Sequence, residues 1–397
     1  MPLFSKGIRA LSRSFTVLVD ELGEKSERAG KNIYRFDVGV PGVAPPAWAV
    51  EPLIEALRRG DTSVYSYSPG PGLEELREAI ALDLRAMKGP RVSPDEVLVV
   101  SGGQHAMFVA LASILDRGCE VVVTDPVYFG YPSLIEYFGC SIRRVPTDPG
   151  KGFKINVEAL SSVVRRERTR ALVIVDPDNP TGRVLDKSEA RAVIDVAASA
   201  DSWVLVDEAY MTLVYEGGKE WLFDMDPSRV VGLFTFSKDP GIPGWRLGFI
   251  YGAREFIEKA SLVARETMYS PPMPAQLLVL KYLTDPRRKE FVEEARRTYR
   301  ARRDAMVSAL SSIRSVQAYK PRGSIFVMAD FSEYLERLGT DSQGLARTLL
   351  DKVGVATVPG SFFGETTKTH LRLSFAGEAE ERIKEGVEAV KEFLDQL

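Results

Sequence analysis

The sequence predicts an α/β fold, with a large domain built on a mostly parallel, helix-covered seven-stranded sheet and a smaller α+β domain. Between residues 95 and 252, short runs rich in Val, Ile and Leu alternate with stretches of helical periodicity. Continuous apolar runs of this kind are typical of parallel strands buried on both faces. After residue 285 one long charged segment is followed by further short strands, which indicates a second domain.

The strands of the large domain follow from seven apolar runs: EVLVV, EVVVTD, SIRRVP, ALVIVD, SWVLVD, VVGLFTF and RLGFIYG. Helical periodicity separates several of them, over residues 104–115, 131–138 and 187–198. A first helix is predicted to begin near Trp48. Strands that are joined through helices give right-handed crossovers and an open sheet.

The smaller domain is predicted from the C-terminal part of the chain. DPRRKEFVEEARRTYRARRDAMVSALSSI predicts one long helix whose charge run forms a solvated face. GSIFVMADF, KVGVATVPG and THLRLSFA predict strands, and residues 378–397 a closing helix. We therefore predict an N-terminal segment (1–45) that packs with the small domain, a large domain (46–284), and an interdomain helix with the small domain (285–397).

Composition excludes several classes of protein. The net charge of -3 and the pI near 5.8 disfavour a nucleic-acid binder. Two histidines disfavour a multi-histidine metal site, and two cysteines, Cys119 and Cys140, favour buried reduced thiols in a cytosolic protein. No apolar run has the length of a membrane span, and the first twenty residues predict a packed helix rather than a signal peptide. We expect a cytoplasmic protein with no metal, nucleic-acid or membrane partner.

Polar residues follow the ends of four predicted strands, where ligands bind in open α/β sheets. The first strand ends in SGGQ and opens a helix, whose backbone N–H groups can bind an anion. The others end in Asn179 within DPDNPTG, in Asp207 within DEAY, and in Ser237-Lys238. Each has a structural alternative: the glycines can form a plain turn, Asn179 can be a turn residue, and Asp207 can cap a helix.

Together these residues fit pyridoxal 5′-phosphate. This cofactor needs a lysine amine for its aldehyde, a carboxylate for its ring nitrogen, and several donors for its phosphate. Lys238, Asp207 and the SGGQ turn provide such groups. In TFSKDPGIPGWRLG, a loop rich in proline and glycine would bring Arg246 back to the phosphate that Ser237 approaches. Burial beside this arginine would lower the pKa of Lys238.

Over nearly its whole length the chain resembles the class I/II aminotransferases of PLP fold type I. The motifs that carry the resemblance are YSPGPGLEELREAI, SGGQHAM, DPVYFGYP, PDNPTG, DEAY, SK followed by GWRLG, and HLRLSF. They occur in the order of the family. The resemblance implies a homodimeric amino-acid aminotransferase that moves an amino group between an L-amino acid and a 2-oxo acid such as 2-oxoglutarate.

The resemblance also implies roles for single residues. Lys238 matches the lysine that forms the Schiff base and moves the substrate proton, and Asp207 matches the carboxylate at the pyridine nitrogen. Tyr210 and Asn179 match the donors to the ring oxygen. The residues that match the phosphate site are Gly103, Gln104, Thr235, Ser237 and Arg246.

Aromatic and substrate-binding positions complete this set. Tyr128 matches the aromatic ring that stacks on the cofactor. Tyr67 matches the tyrosine that reaches the cofactor phosphate of the partner subunit, with Tyr65 as a second candidate. The residues that match the site of the substrate α-carboxylate are Gly39, Asn179 and Arg372.

Two positions depart from the family pattern. Asp178 replaces the first Asn of the family's PNNPTG, and we expect little effect because it lies beside the ligand-contacting position. Asp239-Pro240 follows the lysine, where small or aromatic residues are usual. An acid at position 239 could alter the field around the lysine in either direction.

Other functions compete with transamination. A PLP-dependent β-lyase would share all the cofactor ligands and therefore stays open. A transcription regulator with an aminotransferase-like domain is disfavoured, because nothing before residue 30 is long or basic enough to bind DNA. A dinucleotide enzyme is disfavoured because SGGQHA is not G-x-G-x-x-G. The helix HAMFVALASIL has no basic residue beyond His105, which disfavours strict aspartate specificity.

Overall fold

The computed structural model describes residues 5–11 and 32–397. In chain order the strands are β1 (Tyr34–Arg35), β2 (Val97–Val100), β3 (Glu120–Asp125), β4 (Ser141–Asp148), β5 (Lys154–Ile155), β6 (Thr169–Val175), β7 (Trp203–Asp207), β8 (Val230–Thr235), β9 (Gly248–Tyr251), β10 (Gln317–Ala318), β11 (Phe326–Asp330), β12 (Val355–Ala356), β13 (Val358–Pro359) and β14 (His370–Ser374).

The α-helices are α1 (Ala47–Arg58), α2 (Glu74–Ala86), α3 (Gly103–Ile114), α4 (Gly130–Tyr137), α5 (Val157–Val163), α6 (Lys187–Ser199), α7 (Leu222–Met225), α8 (Arg254–Met268), α9 (Met273–Thr284), α10 (Arg288–Leu310), α11 (Ser332–Leu338), α12 (Ser342–Thr348) and α13 (Glu380–Leu394). Short 3-10 turns lie at Gly7–Ala10, Thr62–Tyr65, Pro94–Glu96, Pro149–Lys151, Pro243–Trp245, Gly360–Phe362 and Glu365–Thr367, and a π-helical turn at Leu349–Val353.

The large sheet has the strand order β2-β9-β8-β7-β6-β3-β4-β5. Strands β8, β7, β6, β3 and β4 are parallel to their neighbours in this series, and β9 runs antiparallel between β2 and β8. The predicted mostly parallel α/β sheet is confirmed. An eighth strand, β5, adds two residues antiparallel to the edge of β4. So short a strand carries no apolar run, which is why the sequence did not indicate it.

Both faces of this sheet are buried, as the continuous apolar runs predicted. Within β2, Val97 and Val99 belong to one hydrophobic core, and Leu98 and Val100 belong to the core on the opposite face. This separation follows from the period of two along a strand, which points neighbouring side chains to opposite faces. The ligand-binding edge is consequently left at the ends of the strands.

The small domain is built on the antiparallel sheet β10-β11-β14-β13. The three predicted strand regions are present, although the middle one is split between β12 and β13, which belong to different sheets. Strand β12 pairs in parallel with β1, and Phe36, next to β1, is buried in the small-domain core.

The N-terminal segment contacts both parts of the molecule. Residues 34–36 join the small domain, whereas Gly7 packs against Tyr137 of α4 in the large domain. The helix predicted within the first twenty residues falls largely outside the described residues. The division at residues 45 and 284 stays a prediction.

The charged helix α10 is only partly solvated, which corrects the prediction for its charge run. The guanidinium of Arg303 is fully buried, pairs with Glu216 at 2.8 Å and donates to the carbonyl of Pro321 at 2.9 Å. A buried cation of this kind requires such partners because its desolvation is costly. The helix therefore contacts the loops that carry Glu216 and Pro321 through an ion pair and a hydrogen bond as well as through apolar contacts.

The cysteine prediction is wrong in this structure. Cys119 and Cys140 form a disulfide, with Cα atoms 4.8 Å apart. Each cysteine directly precedes one of two adjacent parallel strands, β3 and β4, whose starts are in register. Sheet pairing therefore brings together two residues that lie 21 positions apart in the chain.

Among residues 5–11 and 32–397, none of the helices is both long enough and apolar enough to cross a bilayer.

Phe36 offers a test of how the N-terminal segment joins the small domain. Phe36→Ala should lower the free energy of unfolding by about 3–5 kcal/mol, because it removes a fully buried aromatic ring from that core. Urea unfolding followed by circular dichroism measures this. The control Leu82→Ala, exposed on α2, should change stability by less than about 0.5 kcal/mol. Equally small effects of both variants would contradict the packing described.

Candidate active site

A cavity of about 400 Å³ lies where the ends of β6, β7 and β8 meet the start of α3 and the small-domain sheet. This volume is within the range of small-molecule sites. The predicted site residues that line it are Gly39, Gly103, Gln104, Tyr128, Asn179, Asp207, Tyr210, Thr235, Ser237, Lys238, Arg246 and Arg372. The structure therefore brings these twelve residues together around one cavity, and the role of each stays a prediction.

Tyr67 lies outside this cavity. Its side chain is 81% exposed and packs edge-on against Tyr269 at a ring distance of 5.0 Å. Tyr65, the second candidate, is 72% exposed in the same loop. Neither tyrosine therefore reaches the cavity of its own chain.

One end of the cavity is a cradle for an anion. Gly102 adopts φ +82° and caps the N-terminus of α3, and the first turn of this helix faces the cavity beside the guanidinium of Arg246. Glycine is favoured here because its φ is one that other residues rarely adopt, and a Cβ at Gly102 would also lie 2.6 Å from Nη2 of Arg246. The hydroxyls of Thr235 and Ser237 lie 2.8 Å apart at the same end. Hydroxyls, a guanidinium and a helix N-terminus suit a doubly charged phosphate.

Asp207 is the carboxylate at the end of β7. Its Oδ1 accepts from the backbone N–H of Ala209 at 3.0 Å, and its Oδ2 accepts from the hydroxyl of Tyr131 at 2.5 Å. Burial raises the pKa of Asp207 to about 6, although both hydrogen bonds oppose the rise. Turns rather than a helix follow β7, so the alternative of a helix cap does not apply. A buried carboxylate with raised proton affinity is suited to hold a protonated ring nitrogen.

Tyr131 is a site residue that the sequence interpretation missed. It lies in the first turn of α4 and its ring packs edge-on against Tyr128 at 5.1 Å. Gly130 makes room for this pair, because a Cβ there would lie 2.7 Å from the Tyr128 ring. The signal was present in the motif DPVYFGYP, where the two tyrosines are three residues apart. Burial raises the pKa of Tyr131 well above its usual value, so its hydroxyl stays a donor.

Lys238 presents its amine to the centre of the cavity. Its Nζ donates to the backbone carbonyl of Gly39 and lies 5.8 Å from the Tyr210 ring. Burial, followed by the charge of Arg372 and a smaller contribution from Arg246, lowers the pKa of Lys238 to about 8. The predicted direction is confirmed, but Arg372 contributes more than the arginine named from the sequence. An amine with this pKa is partly neutral near physiological pH, as a nucleophile or base must be.

Arg372 lies at the centre of β14 and enters the cavity from the small domain. It donates to Oδ1 of Asn179 at 3.1 Å and to the carbonyl of Asp37 at 2.8 Å. Its guanidinium stacks 4.1 Å from the ring centroid of Phe326. Burial lowers its pKa to about 10, so it remains charged at neutral pH.

Arg372 also keeps donors for a ligand. Two of the five N–H groups of a guanidinium are used by Asn179 and Asp37. The buried Nε has no hydrogen-bond partner among the residues that the structure describes. A planar guanidinium with free donors, held by contacts on both sides, suits bidentate binding of a carboxylate.

The two departures from the family pattern lie outside the cavity lining. Asp178 accepts from the hydroxyl of Thr181 at 2.5 Å and so closes the turn that carries Asn179. Asp239 accepts from the hydroxyl of Tyr282, and its other oxygen lies 3.5 Å from Arg288. Arg288 thus partly balances the acid that follows Lys238.

Comparison with known proteins shows the family of this chain. Residues 30–390 match the model of the family "Aminotransferase class I and II". A probable aspartate/prephenate aminotransferase of Aquifex aeolicus is 34% identical over 98% of this chain and 97% of its own. The aspartate/prephenate aminotransferase of Thermus thermophilus is 33% identical over 97% of both chains.

A solved structure leads to the same family. The aspartate aminotransferase of Thermus thermophilus with maleate superimposes with a TM-score of 0.92 at 32% identity, over 99% of this chain and 100% of that one. The agreement extends over both domains rather than over the sheet alone. The chain therefore belongs to the class I and II aminotransferases.

Proposed function

We propose that this protein transfers an amino group between an L-amino acid and a 2-oxo acid, with pyridoxal 5′-phosphate as its cofactor. The observation that carries the proposal is the amine of Lys238 in one cavity with Asp207, Arg372 and an anion cradle. The names of the relatives support the reaction class. Nothing in the site favours the β-lyase alternative over transamination.

The cavity residues would hold the cofactor by complementary charge. The residues at its phosphate would be Gly103, Gln104, Thr235, Ser237 and Arg246. Asp207, oriented by Tyr131, would hold the proton on the ring nitrogen, Tyr128 would cover the ring, and Asn179 and Tyr210 would donate to the ring oxygen. When bound, the cofactor supplies an aldehyde and an electron-withdrawing ring for chemistry at the substrate Cα.

Arg372 would hold the substrate, and Lys238 would transfer its proton. Arg372 would bind the α-carboxylate with its free donors, next to Gly39, and so direct the Cα–H bond toward the lysine. The neutral amine of Lys238 would take the proton from Cα and would then, as a general acid, deliver it to the former aldehyde carbon of the cofactor. The packed aromatic rings beside Arg372 would exclude water from this end of the cavity.

Substrate preference, assembly and location complete the proposal. Aspartate as amino donor, with prephenate or 2-oxoglutarate as the 2-oxo acid acceptor, is the first combination to test, because aspartate and prephenate occur in the names of the relatives. The exposed Tyr67 would reach the cofactor phosphate of a second copy in a homodimer. A cytoplasmic location stays a prediction.

Lys238 provides the direct test of the function. The protein reconstituted with pyridoxal 5′-phosphate should be yellow, and borohydride should remove the colour and leave a pyridoxyl group on Lys238 in peptide maps. Lys238→Ala should abolish transamination between aspartate and 2-oxoglutarate, whereas Lys384→Ala, an exposed lysine on α13, should not. A pyridoxyl label on another lysine would sink the proposal.

The pKa of Lys238 gives a second test. Because only the neutral amine adds to an aldehyde, the rate at which the apo protein captures the cofactor should rise with pH and level off above about 8. Arg372→Leu removes the charge that lowers this pKa most, so its midpoint should move to higher pH. Arg337→Leu, on the surface of α11, is the control. Stopped-flow absorbance measures the rates, and an unchanged midpoint in Arg372→Leu would contradict the assignment.

The homodimer gives a third test through Tyr67. Light scattering should find a mass of two chains, and Tyr67→Phe should weaken cofactor binding roughly tenfold to a hundredfold, since a hydrogen bond to a charged group contributes about 1.5–3 kcal/mol. Tyr65→Phe tests the second candidate in the same loop and should leave cofactor binding unchanged if Tyr67 makes the contact.

Hybrid dimers decide which subunit Tyr67 serves. Wild-type chains are paired with Lys238→Ala chains, and separately with Lys238→Ala/Tyr67→Phe chains. If Tyr67 serves the neighbour, the Lys238 site of the second hybrid should bind the cofactor more weakly than that of the first. Equal binding in the two hybrids would rule out the intersubunit role.

A further inference from the structure

A second cluster of charges lies on the other side of the strands that carry the active site. The ammonium of Lys219 is buried between Asp176, at 3.2 Å, and Glu208, at 2.8 Å. The Glu208 carboxylate also accepts from the hydroxyl of Tyr251 at 2.6 Å. None of these groups lines the active-site cavity. The cluster is therefore a separate buried site to which the reaction chemistry assigns no role.

Both carboxylates belong to strand ends that carry active-site residues. Glu208 follows Asp207 directly, and alternation along the extended chain sends the two side chains to opposite sides. Asp176 follows β6 and begins the loop that carries Asn179. Its Oδ1 accepts from the backbone N–H of Leu185 at 2.8 Å, which closes this loop at its far end.

Lys219 thus connects the two strand ends through a single atom. Its Nζ forms ion pairs with the carboxylate that closes the Asn179 loop and with the carboxylate next to Asp207. Its position is fixed in turn by the ring of Trp221, whose centroid is 4.6 Å from Nζ, and by the carbonyl of Glu220 at 3.1 Å. Few rotamers of Lys219 satisfy all of these contacts at once.

The three charged groups depend on one another. Burial raises the pKa of Glu208, and Lys219 opposes that rise. Burial alone would lower the pKa of Lys219, but the two carboxylates outweigh it and raise the pKa. Buried ion pairs of this kind contribute little net stability compared with apolar residues of equal volume. Their benefit lies in a fixed geometry, since loss of one partner leaves a charge buried without compensation.

We propose that Lys219 is a positioning residue that holds the ends of β6 and β7 together, and with them Asn179 and Asp207, at the spacing that the cofactor ring requires. The proposal rests on the proposed function, because it assigns Asp207 to the ring nitrogen and Asn179 to the ring oxygen. Lys219 touches neither the cofactor nor the substrate in this arrangement. It acts through the two carboxylates.

The test uses Lys219→Met in the reconstituted holoenzyme. The variant should lower kcat for aspartate and 2-oxoglutarate about tenfold to a hundredfold. This is the range found when a residue that orients a ligand-contacting side chain, without touching the ligand itself, is removed. The KM for the amino donor should change less than about threefold, since Arg372 is untouched. The visible circular dichroism band of the bound cofactor should change, because that band reports the orientation of the ring.

Controls separate positioning from stability. Lys219→Arg restores the charge and should recover part of kcat and of the dichroism band. Lys154→Met makes the same replacement at an exposed ion pair with Asp186 and should leave both unchanged. The double variant Lys219→Met/Glu208→Gln keeps the net charge of the cluster at -1 but removes the ion pairs that connect the two strand ends. If Lys219→Met does not fold, this double variant tests the positioning role instead.

Two outcomes would overturn the proposal. One is a double variant with the wild-type dichroism band and kcat but a lower melting temperature, which would make Lys219 a stabilising residue only. The other is a fall in donor affinity at constant kcat. Cofactor bound to Lys238 in the wild-type protein tests the proposed function separately, so a loss confined to the Lys219 variants is distinguishable from its failure.

Discussion

The cavity holds more cationic than anionic side chains in a space that is partly shielded from solvent. This excess of positive charge is the constraint on which the site depends. Lys238, Arg246 and Arg372 all line it. Of the two carboxylates in the described lining, Asp37 is already bonded to Arg35 at 2.9 Å, which leaves Asp207. Cations in a medium of low dielectric constant raise each other's free energy unless anions join them. A phosphate and a carboxylate, at opposite ends, would supply that charge.

Burial and the same excess of positive charge lower the pKa of Lys238, which lies between the two arginines. Lys238 loses its proton more easily than a free lysine because neighbouring cations and burial both disfavour its charged form. An anion bound at either arginine would offset its charge and so raise the pKa of Lys238 again. The proton affinity of the lysine therefore depends on which ligands are bound, and a base that must also act as an acid benefits from such dependence.

The two domains meet at Arg372. Its strand belongs to the small domain, but its guanidinium donates to Asn179, which belongs to a loop of the large sheet. The Arg372 end of the cavity, which we propose binds the substrate, is thus assembled from both domains, whereas the anion cradle uses residues of the large domain alone. A shift between the domains would change the carboxylate end of the cavity and leave the phosphate end intact.

Sequence reasoning was most successful where function follows from strand order. Buried strands place their last residues at one edge, so Asn179, Asp207 and Lys238 could be grouped without coordinates. Tyr131 was missed because its partner is distant in the chain, and the hydrogen bond depends on how α4 packs. Lys219 lies in a loop that has no periodicity. The pairing of Cys119 with Cys140 likewise depends on the adjacency of β3 and β4, which spacing alone does not reveal.

Asp207 and Glu208 illustrate how one strand end can serve two charge clusters. Alternation sends Asp207 to the cavity and Glu208 to Lys219, and the charge of Glu208 contributes to the raised pKa of Asp207. A carboxylate with a higher pKa is a stronger base, and it therefore stabilises a protonated ring nitrogen beside it more strongly. Lys219 lies 2.8 Å from Glu208 and opposes the rise that burial causes in the pKa of Glu208. The sequence DE at the end of β7 therefore provides both a carboxylate of the cavity lining and a neighbour whose charge raises the pKa of that carboxylate.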